Sequence, residues 1–215
     1  MRAILSFAAG LCVLGGAVAA PGEAAANLNI RDIAVIPLHA GVNTIERFAP
    51  DGRSATIVQA WRDNGNAHGH AVYLVVMAHR GCGYGDTACV VAIDDGHGPL
   101  QDTAEASPFD GERVLETVRF ARATVNGAPA TVMIRADLGE AKSGVLADHA
   151  PAAVSVYVLQ SPGVDVGTTP DVFKLAFKVK AVGAFCNADM ALHQTLGLPL
   201  PADYAGGKGP GGCID

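Results

Sequence analysis

The side chains with the densest chemistry lie in one stretch, Trp61 to His70, which reads WRDNGNAHGH and runs straight into the apolar AVYLVVMA. Histidines at i and i+2 on an extended strand point to the same side, roughly 6.5–7 Å apart at Cα, so His68 and His70 are spaced to share a metal ion. A catalytic zinc takes three protein ligands. His39, His79, His97, His149 and His193 are all available as the third, and no spacing nominates one. The same stretch suits an organic ligand as well. Trp61 offers a flat stacking surface with an N–H handle, and Gln59, His68 and His70 offer hydrogen-bonding groups beside it. The structural alternative is a well-formed hairpin whose aromatic residue packs over a polar edge.

Other chemistry is harder to find. No G-x-S-x-G elbow, S-x-x-K or K-T-G is present, so a serine hydrolase has no visible setting for its nucleophile. H-E-x-x-H is missing too. GCGYGD at Gly81 to Asp86 has the glycines of a phosphate loop but lacks the Lys-Ser/Thr pair that such a loop requires. DDGHG at Asp94 to Gly98 reads as a polar turn after a strand. No motif implies a cofactor.

A hairpin must hold the Trp61 stretch. Asn64-Gly65 is a turn dipeptide, since a type I′ turn needs positive φ at both central residues. A two-residue loop there sets Trp61 opposite His68, Gln59 opposite His70 and Ile57 opposite Val72. Trp61, Gln59, His68 and His70 then share one face, and Gly69 and Ala71 the other. Alternation and β-branched enrichment predict strands near Ile33–Leu38, Ala55–Arg62, Ala71–Met77, Val90–Ile93, Phe120–Val125, Ala130–Arg135, Val154–Leu159 and Val172–Val182. Asn126-Gly127 is a second hairpin turn. Glu112 to Thr117 fits either a strand or a helical face and is read as strand. One helix is predicted, Ala188 to Leu196, with Asn187 as its cap, Asp189 in its first turn and Gly197 and Pro199 closing it. No repeat, linker or shift of composition divides the chain. The expected fold is mainly β: a single β-sandwich-like domain of antiparallel hairpins over residues 27–215, with one short C-terminal helix.

Charge and cysteines bound the partners. The net charge is −6, with no Lys/Arg cluster, which argues against nucleic acid or an anionic membrane surface as a partner. Arg2, the apolar run Ile4 to Val18 and the small residues after it read as a signal peptide over residues 1–26, too short to span a bilayer. Leu11 stands where a lipid-attachment signal needs a small residue, so Cys12 is not read as a membrane anchor. The mature chain is expected in the periplasm or outside the cell. Removing Cys12 from the five cysteines leaves Cys82, Cys89, Cys186 and Cys213, an even set that reads as disulfides in an exported chain. Three pairings are possible. The local one, Cys82–Cys89 with Cys186–Cys213, closes the smallest loops, worth about 2–3 and 3–4 kcal/mol in the loop-entropy model.

The segments VQAWRDNGNAHGHAVYLVV, FCNADMAL and LPLPADY resemble the exported carbapenem intrinsic-resistance (self-resistance) proteins, the CarG-like group. The resemblance covers the Asn-rich hairpin and the C-terminal helix start, and between them only general β character. It implies an all-β periplasmic protein, with a homodimer as its assembly, that protects against carbapenems without hydrolysing them. It transfers no ligand residue. The expectation for function is therefore a non-enzymatic exported protein that binds or sequesters a small molecule such as a β-lactam. Two alternatives stay open: a metal-dependent hydrolase using His68 and His70, and a cell-envelope interaction module with no small ligand.

Overall fold

The structure is a computed structural model that describes residues 29–65, 69–78, 88–107, 114–141, 149–162 and 169–213. The strands are β1 (Ile30–Val35), β2 (Gly41–Ile45), β3 (Ala55–Arg62), β4 (His70–Ala78), β5 (Ala88–Val90), β6 (Ala92–Asp94), β7 (Thr103–Ala106), β8 (Glu116–Val125), β9 (Ala128–Leu138), β10 (Ala152–Gln160) and β11 (Val172–Lys180). The helix α1 is Ala188–Leu196. One sheet runs in the order β1-β8-β9-β10-β11-β6; the other runs β2-β3-β4-β5, with β7 pairing the remaining length of β4. Among the described strands, every pairing is antiparallel except that of β11 with β6. The mainly β sandwich with one C-terminal helix is therefore present.

The larger sheet is apolar on both faces, and each face has its own cover. Successive side chains of a strand point to opposite sides. In β8, Val118 and Phe120 enter the core between the sheets, while Ala121, Ala123 and Val125 enter a second core beneath α1. In β9, Met133 faces the smaller sheet and Val132, Ile134 and Ala136 face the helix. A bulge opposite Val156/Tyr157 shifts the pairing of β10 with β11. Such an extra residue reverses the alternation downstream. Phe173 and Leu175 consequently pack toward the smaller sheet, whereas Phe177 and Val179 pack toward the helix.

Between the sheets, Phe48, Phe120 and Phe173 form an aromatic cluster with ring centroids 5.8–6.5 Å apart. Tyr73 adds a fourth ring 6.0 Å from Phe120. Tilted pairs at such distances contribute about 0.5–1.5 kcal/mol each beyond simple burial. Phe48 reaches this cluster from the loop between β2 and β3, and three polar contacts hold that loop. Thr131 donates its hydroxyl to the Phe48 carbonyl oxygen. Arg122 donates to the Arg47 and Glu46 carbonyls. Arg53 makes a bidentate pair at 2.7 Å with Asp171, whose side chain is fully buried just before β11.

The helix is capped as its residues require. The Asn187 side chain accepts from the Asp189 and Met190 amides, and Gly197 ends the helix at φ +71°. Asp189 does more than complement the dipole: it accepts from Arg119 at 2.5 Å and Thr117 at 2.7 Å, clamping α1 to β8. Cys186 and Cys213 are bonded, with Cα atoms 4.9 Å apart. Gly211 lies so close to the Ala184 carbonyl oxygen that no Cβ fits there. Cys89 is disulfide-bonded; Cys82, its expected partner, lies outside the described residues, as does the predicted signal peptide.

Several expectations need correction. The predicted strand Val90–Ile93 is a crossing point: β5 belongs to the smaller sheet and β6 to the larger, and the buried Val91 between them donates its N–H to Val75. β2 and β7 were not foreseen, being short edge strands with little apolar alternation. Asn126 and Gly127 do form a two-residue turn, at φ +50° and +83°, with Val125 opposite Ala128. The strands on either side are longer than the alternation suggested. Glu116 and Thr117 are strand, while residues 112 and 113 lie outside the described residues.

Removing one member of a buried ion pair leaves the other charge desolvated, at a cost of about 3–5 kcal/mol. Arg53→Ala should lower the unfolding free energy by that amount. Asp51→Ala, which removes the exposed partner of the same arginine, should cost no more than about 1 kcal/mol. Urea denaturation of both variants checks this, and equal small losses would show that the Asp171 pair does not anchor the loop.

Candidate functional site

The far end of β3 and β4 carries the residues singled out from sequence. Their register differs from the expected one by three residues: Arg62 is opposite His70, Trp61 opposite Ala71, Gln59 opposite Tyr73 and Ile57 opposite Val75. Gly65 adopts φ +69° and Asp63 accepts its amide at 2.8 Å, but Asn64 does not share the positive φ, so the expected two-residue type I′ turn is absent. Among the described residues, pairing of the two strands begins at Arg62 with His70. The reason lies in the core. Ala71, Tyr73, Val75 and Met77 are the buried face of β4, and the expected register would have turned Val72 and Leu74 inward and the Tyr73 ring outward. Burial of the larger aromatic surface decides the register.

Three residues are an odd number, so the slip divides the predicted face. Trp61 and Gln59 lie on the side of the smaller sheet that faces the larger one, and His70 lies on the outer side. His68 is outside the described residues. The His70 Nε2 is 3.5 Å from a Glu105 carboxylate oxygen, too long for a good hydrogen bond, and it has no hydrogen-bond partner in its largely covered position. Trp61 stays 57% exposed at the rim. Its indole lies flat against Gly69, where a Cβ would come within 2.5 Å of the ring. That glycine lets the tryptophan fold down beside the strand.

A polar cluster, not foreseen from sequence, sits at this same end between the sheets. Arg135 bridges two carboxylates: its Nη2 is 3.2 Å from Glu116 and its Nε 2.6 Å from Asp137. The Nε approach is poorly angled for a hydrogen bond, so charge attraction carries that contact. Burial pushes the Glu116 carboxyl upward, against the attraction of Arg135, and Asp137 and Glu105 push it further. The Arg135 guanidinium is resisted by burial, yet Asp137 and Glu116 outweigh this and raise it. Burial also raises the Tyr157 hydroxyl, against Arg135 and a hydrogen bond with Ser155. The influence of Glu105 on Glu116, with the Leu115–Ser107 hydrogen bond, places the start of β8 beside β7. β7 in turn pairs with β4 next to Ala71, the partner of Trp61. Arg135 and Asp137 at i and i+2 near the end of an apolar strand were the one legible signal of this cluster.

The arrangement places an exposed indole at the rim and, at the same end between the sheets, a row of carboxylate and guanidinium groups beside the buried Tyr157 phenol. For a metal, the described residues bring together His149, Cys186 and Cys213, with ligand atoms within 4.8 Å of one another. The two cysteines are bonded to each other there, so no thiolate is offered.

No family model matches this chain, and no curated protein matches it. Among solved structures, the fold is similar to the crystal structure of CarG, with a TM-score of 0.58 and 15% identity, over 75% of this chain and 94% of CarG. At that identity the likeness is one of fold, and it agrees with the resemblance of the Trp61 and Asn187 segments.

Two measurements test this end of the molecule. Trp61 is the chain's single tryptophan, so Gly69→Ala, which lifts the indole off the strand, should red-shift the fluorescence emission and leave the fold intact by circular dichroism. An unchanged spectrum would contradict the stacked position. Folding raises the Glu116 pKa above its ordinary 4.5, so the folded state holds this proton more tightly than the unfolded chain. Its stability contribution is present below pH 4.5 and is lost as pH rises through the folded value. Glu116→Gln has no such proton. Its stability relative to the parent should therefore improve across that window and level off above it, read as urea midpoints over a pH series; a pH-independent difference would exclude the coupling.

Proposed function

We propose that this chain is an exported, periplasmic protein that binds a small molecule, with a β-lactam as the leading ligand, and does not turn it over. The observation that carries this reading is the CarG-like fold, which accounts for 94% of CarG's length. It joins the resemblance of the Trp61 hairpin and the Asn187 helix start to the carbapenem intrinsic-resistance group. The signal-peptide pattern and the bonded Cys186–Cys213 pair support an oxidising, exported setting. The exposed Trp61, backed by Gly69, supports contact with an organic ligand, with Gln59 on the same side of its strand. Pairing into a homodimer belongs to the same proposal. The outer face of the smaller sheet, where Val42 and Val90 remain exposed, supports it.

Binding to the folded state alone adds about 2.7 kcal/mol at a ligand concentration a hundredfold above Kd, which is several degrees of Tm for a domain of this size. A carbapenem should raise the Tm of the mature protein by that order, while carbapenem absorbance stays constant under excess protein. A stabilising shift with zinc, together with chelator-sensitive loss of carbapenem absorbance, would instead establish the hydrolase. No shift with either ligand would leave the envelope-interaction module standing.

A further inference from the structure

At the opposite end of β3 from Trp61, the loop of residues 46–53 covers a cavity of about 270 Å³ against the β8–β9 hairpin. Its floor and walls are mostly apolar, from Phe48, Ala49, Pro50, Pro129 and Ala130. Two arginines break that pattern. Arg122 donates from Nη1 to the Arg47 carbonyl at 2.7 Å and from Nη2 to the Glu46 carbonyl at 2.8 Å. A guanidinium has five N–H donors; with two spent on these carbonyls, three remain (5 − 2 = 3), on a plane whose orientation the loop already fixes. Arg47 lines the same cavity, and its backbone sits at φ +51°, a left-handed conformation that a non-glycine residue holds only where its surroundings impose it. The Arg122 contact to its carbonyl helps to impose it. Neither guanidinium has a carboxylate partner among the described residues. The acid on the adjoining strand, Asp32, is engaged by Thr124 at 3.0 Å and by Arg31 at 3.7 Å.

We propose that this cavity is a binding site for a small carboxylate with a hydrophobic body; that a β-lactam is such a ligand here rests on the functional reading above. An inorganic anion would satisfy the arginines and leave the apolar floor wet. A neutral apolar molecule would cover the floor and desolvate the cations without a partner, which is costly. A carboxylate on a compact ring does both, because a planar guanidinium matches a carboxylate by paired, charge-assisted hydrogen bonds. The volume lies just under the range of about 300–1,000 Å³ typical of drug-sized pockets, so the site takes one ring or a small bicycle and leaves larger substituents in solvent.

The test is an amide NMR titration of the 15N-labelled mature protein with phenylacetate, its methyl ester, inorganic phosphate and a carbapenem, each separately. Phenylacetate should shift the amides of Arg47, Gly52, Ala123 and Thr131, while the ester and phosphate bind far more weakly. Arg47→Ala should weaken phenylacetate about tenfold, the loss of one charge-assisted contact. Pro129→Trp, on the same face of its strand as Thr131 and Arg122, fills the cavity and should abolish binding with the amides away from the cavity unchanged. The proposal is overturned if phenylacetate causes no shifts at millimolar concentration, shifts the Trp61 end instead, or binds no better than its ester or phosphate. A carbapenem that fails to bind while phenylacetate fills the cavity would upset the functional reading and leave the site in place. A carbapenem that binds elsewhere, with the cavity silent to phenylacetate, would do the reverse.

Discussion

The six-stranded sheet buries apolar side chains on both faces, and most of the architecture answers that constraint. A sheet with two apolar faces requires two covers. One is the smaller sheet, joined through the Phe48, Phe120 and Phe173 cluster. The other is α1 with the C-terminal tail, joined through Ala188, Ala191, Leu192 and Leu196. Each cover is marginal by itself: a helix of nine residues is too short to persist alone in water, and the tail is rich in glycine. Both hold because the larger sheet supplies the surface they bury.

Polar contacts then fix where the covers sit. The helix is pinned by Asp189 to Arg119 and Thr117, and the tail by the bond between Cys186 and Cys213. The smaller sheet is pinned through its β2–β3 loop, which Asp171, Arg122 and Thr131 reach from three directions. Buried ion pairs contribute little net stability against a well-packed apolar replacement, but losing one partner leaves the other charge desolvated. Here Arg53 and Asp171, with Arg122 and Thr131, hold a loop that carries Phe48 into the core. The same contacts leave the guanidinium plane of Arg122 oriented beside an apolar hollow, so a structural clamp becomes part of a recognition surface.

The two ends of the sandwich differ in chemistry. At the Trp61 end, a row of acid, arginine and phenol groups lies between the sheets, with an exposed indole at the rim, and burial raises the Glu116 carboxyl. At the other end, two arginines without acidic partners among the described residues line an apolar cavity. The carboxylate site proposed above lies at the second end. Both lie where loops leave a rigid pair of sheets, the usual position for recognition in β-sandwich proteins.

What the sequence determined by itself was whatever local chemistry decides. Asn187, Asp189 and Gly197 set the bounds of α1, because caps act within one turn. Asn126 and Gly127 set a two-residue turn, because positive φ at both positions excludes most alternatives. The mainly β class followed from alternation, and the C-terminal disulfide from an even cysteine count and loop length. Only the tertiary structure decided the register of β3 on β4, the passage of the chain from one sheet to the other at Val91, and the clusters at the two ends. The turn at Gly65 allowed more than one register. Selection fell to the distant Phe120, against which Tyr73 packs, and that choice put His70 on the face opposite Trp61. Arg122 meets the carbonyls of Glu46 and Arg47 across 76 and 75 residues of chain. Contacts of that range leave no periodic mark on either segment, since they depend on which faces the whole fold buries.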